Sequence, residues 1–138
     1  MESTTNSFDG FIAAVATEFY ININKESNGV YVAKIPFEGG RSQEVLITLN
    51  EDESGDSTIN YYSVVAQLKK EACELYKMAL NFNSTLHYAG FALLDDALIL
   101  HNTVLLEDCH PHSFMKSLTY IAAKADEMEE LLVKKDLY

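Results

Sequence analysis

A chain of 138 residues with 48% apolar content can bury roughly two-thirds of the surface it exposes when unfolded, so a single domain over residues 1–138 with one core is expected. Ten basic residues against 21 acidic ones give a formal charge of −11, which repels phosphate backbones and anionic lipid. Nucleic acid and membrane surfaces are excluded as expected partners, and basic or neutral protein surfaces fit better.

The first residues carry no basic cluster, and the apolar run at 11–16 is too short for a signal sequence or a membrane span, so a cytoplasmic protein is expected. Cys73 and Cys109 lack the spacing of a redox pair or a zinc knuckle and read as free thiols.

Phe8, Phe11, Ile12, Val15 and Phe19 fall on one stripe of a first helix, with Asn6 placed to cap it. The period then becomes two. Phe19, Ile21 and Ile23 alternate with polar neighbours, a turn follows at 25–29, and Tyr31, Ala33, Ile35 and Phe37 continue the alternation, which predicts a hairpin. Pro36 has no N–H for a ladder and ends the second strand or places it at an edge. Beyond a Gly39-Gly40 turn, Val45, Ile47 and Leu49 mark a third strand, and a polar loop at 50–57 leads to a fourth at 58–66.

Helical period returns at Leu68, with Leu68, Ala72, Leu75, Tyr76 and Ala79 on one face and Lys69, Lys70, Glu74 and Lys77 on the other. Residues 81–84 stop that helix. An alternating run over 85–106 folds back at Asp95-Asp96 as a second hairpin. The last helix opens at Pro111 and carries Phe114, Leu118, Ile121, Ala125, Met128 and Leu132 at spacings of four and three. The order is α-β-β-β-(β)-α-β-β-α: an α+β domain whose helices lie against one face of an antiparallel sheet of five to six strands.

That order, together with residues 81–100 (NFNSTLHYAGFALLDDALIL) and 122–129 (AAKADEME) of the final helix, resembles the YbjN-like and type III secretion chaperone-like superfamily. The topology covers nearly the whole chain, and the sequence likeness runs over 71–132. The motif is a packing pattern without a catalytic residue. The resemblance implies a small acidic protein, commonly a homodimer, that holds an extended segment of another polypeptide. The extra strand and the segment Gly39, Gly40, Arg41, Ser42 and Gln43 resemble the YbjN-like branch, which implies the alternative of a regulatory module binding a signalling protein or a small ligand.

The residues themselves offer little chemistry. Asp52, Ser54, Gly55 and Asp56 imitate part of a calcium loop, but Tyr61 occupies the position where a bidentate Glu would close it. His101, Cys109, His110 and His112, with Glu107 and Asp108, are donors of the kind zinc uses, yet Pro111 separates two of them and a helix-start loop with His110 as cap accounts for the run. Cys109-His110 are sequence neighbours that seldom face one another, no glycine elbow surrounds any serine, and Asp95-Asp96 belong to a solvated turn. Neither metal, cofactor nor enzymatic activity is expected. For partner binding, the candidates are Arg41 beside the Gly39-Gly40 turn and the pair Tyr61 and Tyr62, which alternation places on opposite strand faces.

Overall fold

The structure is a computed structural model that describes residues 2–69 and 72–135. Helix α1 (Glu2–Phe19) buries Phe8, Ile12 and Val15, as its stripe requires, with Phe11 and Phe19 partly buried on the same core. The helix starts upstream of Asn6, so Asn6 is an exposed residue of its second turn and not its cap. The polar run 3–7 continues the helix because a packed apolar stripe outweighs the weak helix preference of Ser, Thr and Asn. Phe19 belongs to this helix and not to the strand after it. Tyr20 then takes a left-handed conformation (φ 54), and the Ile21 amide donates to Ala16 O at 3.3 Å, the 6→1 bond of a Schellman ending.

Strands β1 (Asn22–Ser27) and β2 (Val30–Pro36) form the first hairpin, with Gly29 supplying the positive φ that its turn needs. Pro36 is the last residue of β2, which is flanked on both sides. A 3-10 turn at Glu38–Gly40 leads to β3 (Ser42–Glu51), and β4 (Ser57–Gln67) returns beside it.

Helix α2 (Cys73–Asn83) begins later than its apolar spacing suggests. The Leu68 amide donates to Asp96 O at 2.7 Å, which ties the chain leaving β4 to the turn of the second hairpin. Leu68 and Ala72 still pack on the core, Leu75 and Ala79 are buried in it, and Lys70 lies outside the described residues. Strand β5 (Gly90–Leu94) is shorter than the alternation over 85–106 predicts. Turn bonds from Thr85 and Leu86 to Phe82 O, and a left-handed Tyr88 (φ 58), keep residues 85–89 out of the sheet. Strand β6 (Ala97–Leu105) follows the Asp95-Asp96 turn.

Helix α3 (Pro111–Lys135) has Pro111 as its first residue, and the carbonyl of His110 accepts the Phe114 amide at 2.9 Å. All six seam residues, Phe114 through Leu132, are buried. Each fully buried Leu, Ile or Phe contributes roughly 1.5–3 kcal/mol, which makes this seam the main attachment of helix to sheet.

The six strands form one antiparallel sheet in the order β1-β2-β3-β4-β6-β5. One core cluster unites Phe8, Ile12 and Val15 of α1, Leu75 and Ala79 of α2 and the α3 seam with Tyr31, Ala33, Val45, Ile47, Ile59, Tyr61, Leu98 and Leu100 of the sheet. All three helices therefore serve the same face, and the fold is the expected α+β arrangement.

Candidate functional site

Because the helices occupy one face, the residues that alternate with the core form another, uncovered one. Register runs a single row across it: Asn24, Val32, Leu46, Tyr62, His101 and Gly90 are successive cross-strand partners from β1 to β5. Val32, Leu46 and Tyr62 lie at the centre of this row and are only partly buried, and Val64 beside them is 43% exposed. A solvated sheet face is ordinarily polar, so adjoining apolar side chains on three neighbouring strands form a surface suited to contact.

The sheet forks beside this row. Pairing of β3 with β4 stops at Leu46 and Tyr62, although both strands continue. Two side chains replace the missing ladder: Ser63 Oγ donates to Glu44 O at 2.7 Å, and Gln43 Nε2 donates to Val64 O and to Ser63 Oγ, both at 3.2 Å. The fork opens a cleft of about 390 Å³ lined by Val32, Gln43, Leu46, Tyr62, Val64 and Glu129. Gln43 and Ser63 sit in phase with the buried residues of their strands, and that misplaced polarity is the trace of the fork that the sequence carries.

A second region lies where β6 outruns β5. Residues 102–105 have β4 on one side and no strand on the other. The Thr103 amide is taken by the side chain of Asn102, at 2.9 Å, which blunts this open edge. A cavity of about 630 Å³ adjoins it, walled by Tyr88, Val104, Cys109, His112, Phe114 and Lys116 among others. At its inner end Tyr61 OH donates to Ser117 Oγ at 2.9 Å, Asn102 Nδ2 donates to Tyr61 OH at 3.0 Å, and Ser117 Oγ donates to Tyr88 O at 3.1 Å. Burial pushes the Tyr61 hydroxyl up from its ordinary value, with the bonds to Ser117 and from Asn102 opposing, and burial alone pushes the Cys109 thiol up to about 11.

The candidates separate. Tyr61 has 0% exposure, and its ring packs edge-on against Phe114 at 4.8 Å, so it is a core residue and not a contact residue; Tyr62 is the outward member of the pair. The phase of Tyr61 with Ile59, Ser63 and Val65 dictates this. Arg41 forms a two-pronged pair with Asp126 of α3, Nη2–Oδ2 at 2.9 Å and Nε–Oδ1 at 3.3 Å, and that partner raises the guanidinium pKa further. Its side chain remains 55% exposed. In the polar loop, Asp52 Oδ1 accepts the amides of Ser54 and Asp56, so backbone turns occupy the carboxylate of the calcium-like fragment. Among the described residues no group of three or more His, Cys, Asp or Glu is arranged to hold a metal, and no helix is long and apolar enough to cross a membrane.

No protein-family model and no curated protein matches the sequence. Solved structures do match. A chain of the ExsC–ExsE complex superposes with a TM-score of 0.67 at 14% identity, over 93% of this chain and 95% of that one. A chain of the HopA1–SchA chaperone–effector complex superposes with a TM-score of 0.62 at 9% identity, over 94% and 98%. At these identities the likeness is one of fold, and the fold of this chain is that of type III secretion chaperone-like proteins.

Proposed function

We propose that this protein is a non-catalytic, chaperone-like adaptor that holds an extended segment of another polypeptide. The observation that carries this reading is the uncovered row at Val32, Leu46 and Tyr62: side chains of an extended segment would seat between those apolar residues. The neighbours in fold support it, since both come from complexes with a second protein. Tyr62 and the outer edge of Arg41 supply contacts, while Tyr61 acts indirectly by fastening the sheet to α3. The acidic surface keeps the chain soluble, and the protein works as a cytoplasmic homodimer. Edge strand β5 carries the exposed apolar side chains Leu93 and Leu94, which a second copy would cover.

Two measurements test this. Sedimentation equilibrium should give about twice the chain mass. Tyr62→Ala should weaken retention of a co-purified polypeptide by at least about 1 kcal/mol without unfolding the protein. A monomer that retains no polypeptide refutes the reading.

The cavity between β6 and α3 favours a second reading, a regulatory module for a small ligand, because its volume lies in the range of small-molecule sites. A ligand-induced rise in melting temperature without any protein partner would select it.

A further inference from the structure

We infer that the cleft at the β3–β4 fork receives a lysine or arginine side chain from the bound segment, a preference that rests on the polypeptide-binding reading. Four features of the cleft converge on a cationic side chain with a long apolar stem. Its walls are Val32, Leu46, Tyr62 and Val64, which suit the methylenes of such a stem, and the Tyr62 ring suits a cation at its face. Two carboxylates, Glu44 of β3 and Glu129 of α3, line the same cleft and are exposed. Among the described residues neither makes an ion pair: the pairs formed are Lys25–Asp9, Arg41–Asp126 and Lys124–Glu127. Lys34 stands opposite Glu44 in the β2–β3 register yet does not pair with it.

The fourth feature is Gln43, whose residue exposure is only 8%. Val64 O can only accept, so Nε2 must face it, and that nitrogen is spent on Val64 and Ser63. Oε1 is left without a hydrogen bond among the described residues. No sealed side-chain polar atom there lacks a partner, so Oε1 still touches the surface, and Gln43 lines this cleft. A spare carbonyl acceptor in a cleft that two unpaired carboxylates also line is complementary to an ammonium or guanidinium donor and repels an acidic guest. The formal charge of −11 draws the same class of partner to the surface.

The test uses synthetic ten-residue peptides that alternate valine and threonine, with lysine, arginine, norleucine, glutamine or glutamate at one central position. One terminal lysine is added to the norleucine and glutamine peptides and two to the glutamate peptide, which holds net charge constant. Affinities are read by fluorescence anisotropy against wild type, Glu44→Gln, Glu129→Gln and the double variant, with Glu53→Gln in the exposed loop as control. The lysine or arginine peptide should bind at least tenfold more tightly than its norleucine counterpart. The double variant should reduce that ratio to threefold or less while leaving the norleucine affinity unchanged, and Glu53→Gln should leave the ratio intact. Equal binding of lysine and norleucine peptides, or a ratio that survives the double variant, overturns the inference and leaves polypeptide binding standing. Failure of every peptide to bind overturns both.

Discussion

Tyr61 of β4 donates a hydrogen bond to Ser117 of α3 across 2.9 Å, joining the middle of the sheet to the helix that covers it. Asn102 Nδ2 completes the arrangement by reaching both oxygens, Tyr61 OH at 3.0 Å and Ser117 Oγ at 3.3 Å. A buried hydroxyl gains little net stability from its bonds, yet leaving partners unsatisfied is costly. Tyr61→Phe should therefore lower stability by about 1–2 kcal/mol in urea unfolding. Tyr61→Ala, which also leaves a cavity beside Phe114, should cost about 3–5 kcal/mol. Tyr62→Ala should cost less than about 1 kcal/mol. Equal losses for the two alanine variants would contradict the assignment of inward and outward faces.

The Asp9–Tyr31 contact, 2.7 Å from Tyr31 OH to Asp9 Oδ1, makes stability depend on pH at both extremes. The bond from Tyr31 holds the Asp9 carboxyl below its ordinary value, a contribution present above the unfolded pKa and lost as pH falls through the folded one. Burial, with the bond to Asp9 second, pushes Tyr31 up to about 12, a contribution complete below about pH 10 and lost as pH rises towards 12. Tyr31→Phe should cost about 1–2 kcal/mol at pH 7. The gap between wild type and variant should narrow as pH falls below the ordinary carboxylate range and again as pH rises from about 10 towards 12. A gap independent of pH would show that the two groups are not coupled.

Tyr20 holds a left-handed conformation while 92% exposed, so its ring returns almost no burial for the strained backbone. Glycine takes that conformation freely but adds unfolded-state entropy. Tyr20→Gly should raise stability by about 0.5–1 kcal/mol, measured as a higher urea midpoint at constant slope. A loss would mean that the exposed ring makes a contact in the assembled protein.

The two thiols should differ in reactivity. With its pKa pushed up to about 11, Cys109 at pH 8 is thiolate in about one molecule per thousand, whereas Cys73 is exposed at the start of α2. A disulfide reagent should titrate one thiol promptly in the folded protein and both in denaturant, and Cys109→Ser should keep the prompt phase. Prompt loss of two thiols would contradict the burial of Cys109.

Element order, strand phase and the α3 seam were legible because each rests on local periodicity that burial then obeys; Leu118 and Ile121 are sealed where spacing put them. The start of α2 was not, because apolar spacing at Leu68 and Ala72 is the same whether those residues belong to a helix or to a packed connection, and the tie from Leu68 to Asp96 of the second hairpin is a contact distant in sequence. Alternation alone put Tyr61 and Tyr62 on opposite faces, but the row that joins Tyr62 to Leu46 and Val32 depends on strand register. The fork did not follow from alternation, since it depends on where β3 and β4 part, and Glu129 joins its cleft only through tertiary packing.

The most direct test of the central claim is residue-resolved amide and methyl NMR during titration with the tightest-binding of the extended peptides. Binding on the uncovered face predicts that the largest shifts fall at Val32, Leu46, Tyr62 and Val64, with core reporters such as Ile121 and Leu118 little changed. Shifts confined to the cavity walls at Tyr88, Val104 and Cys109, with the central row unmoved, would contradict it.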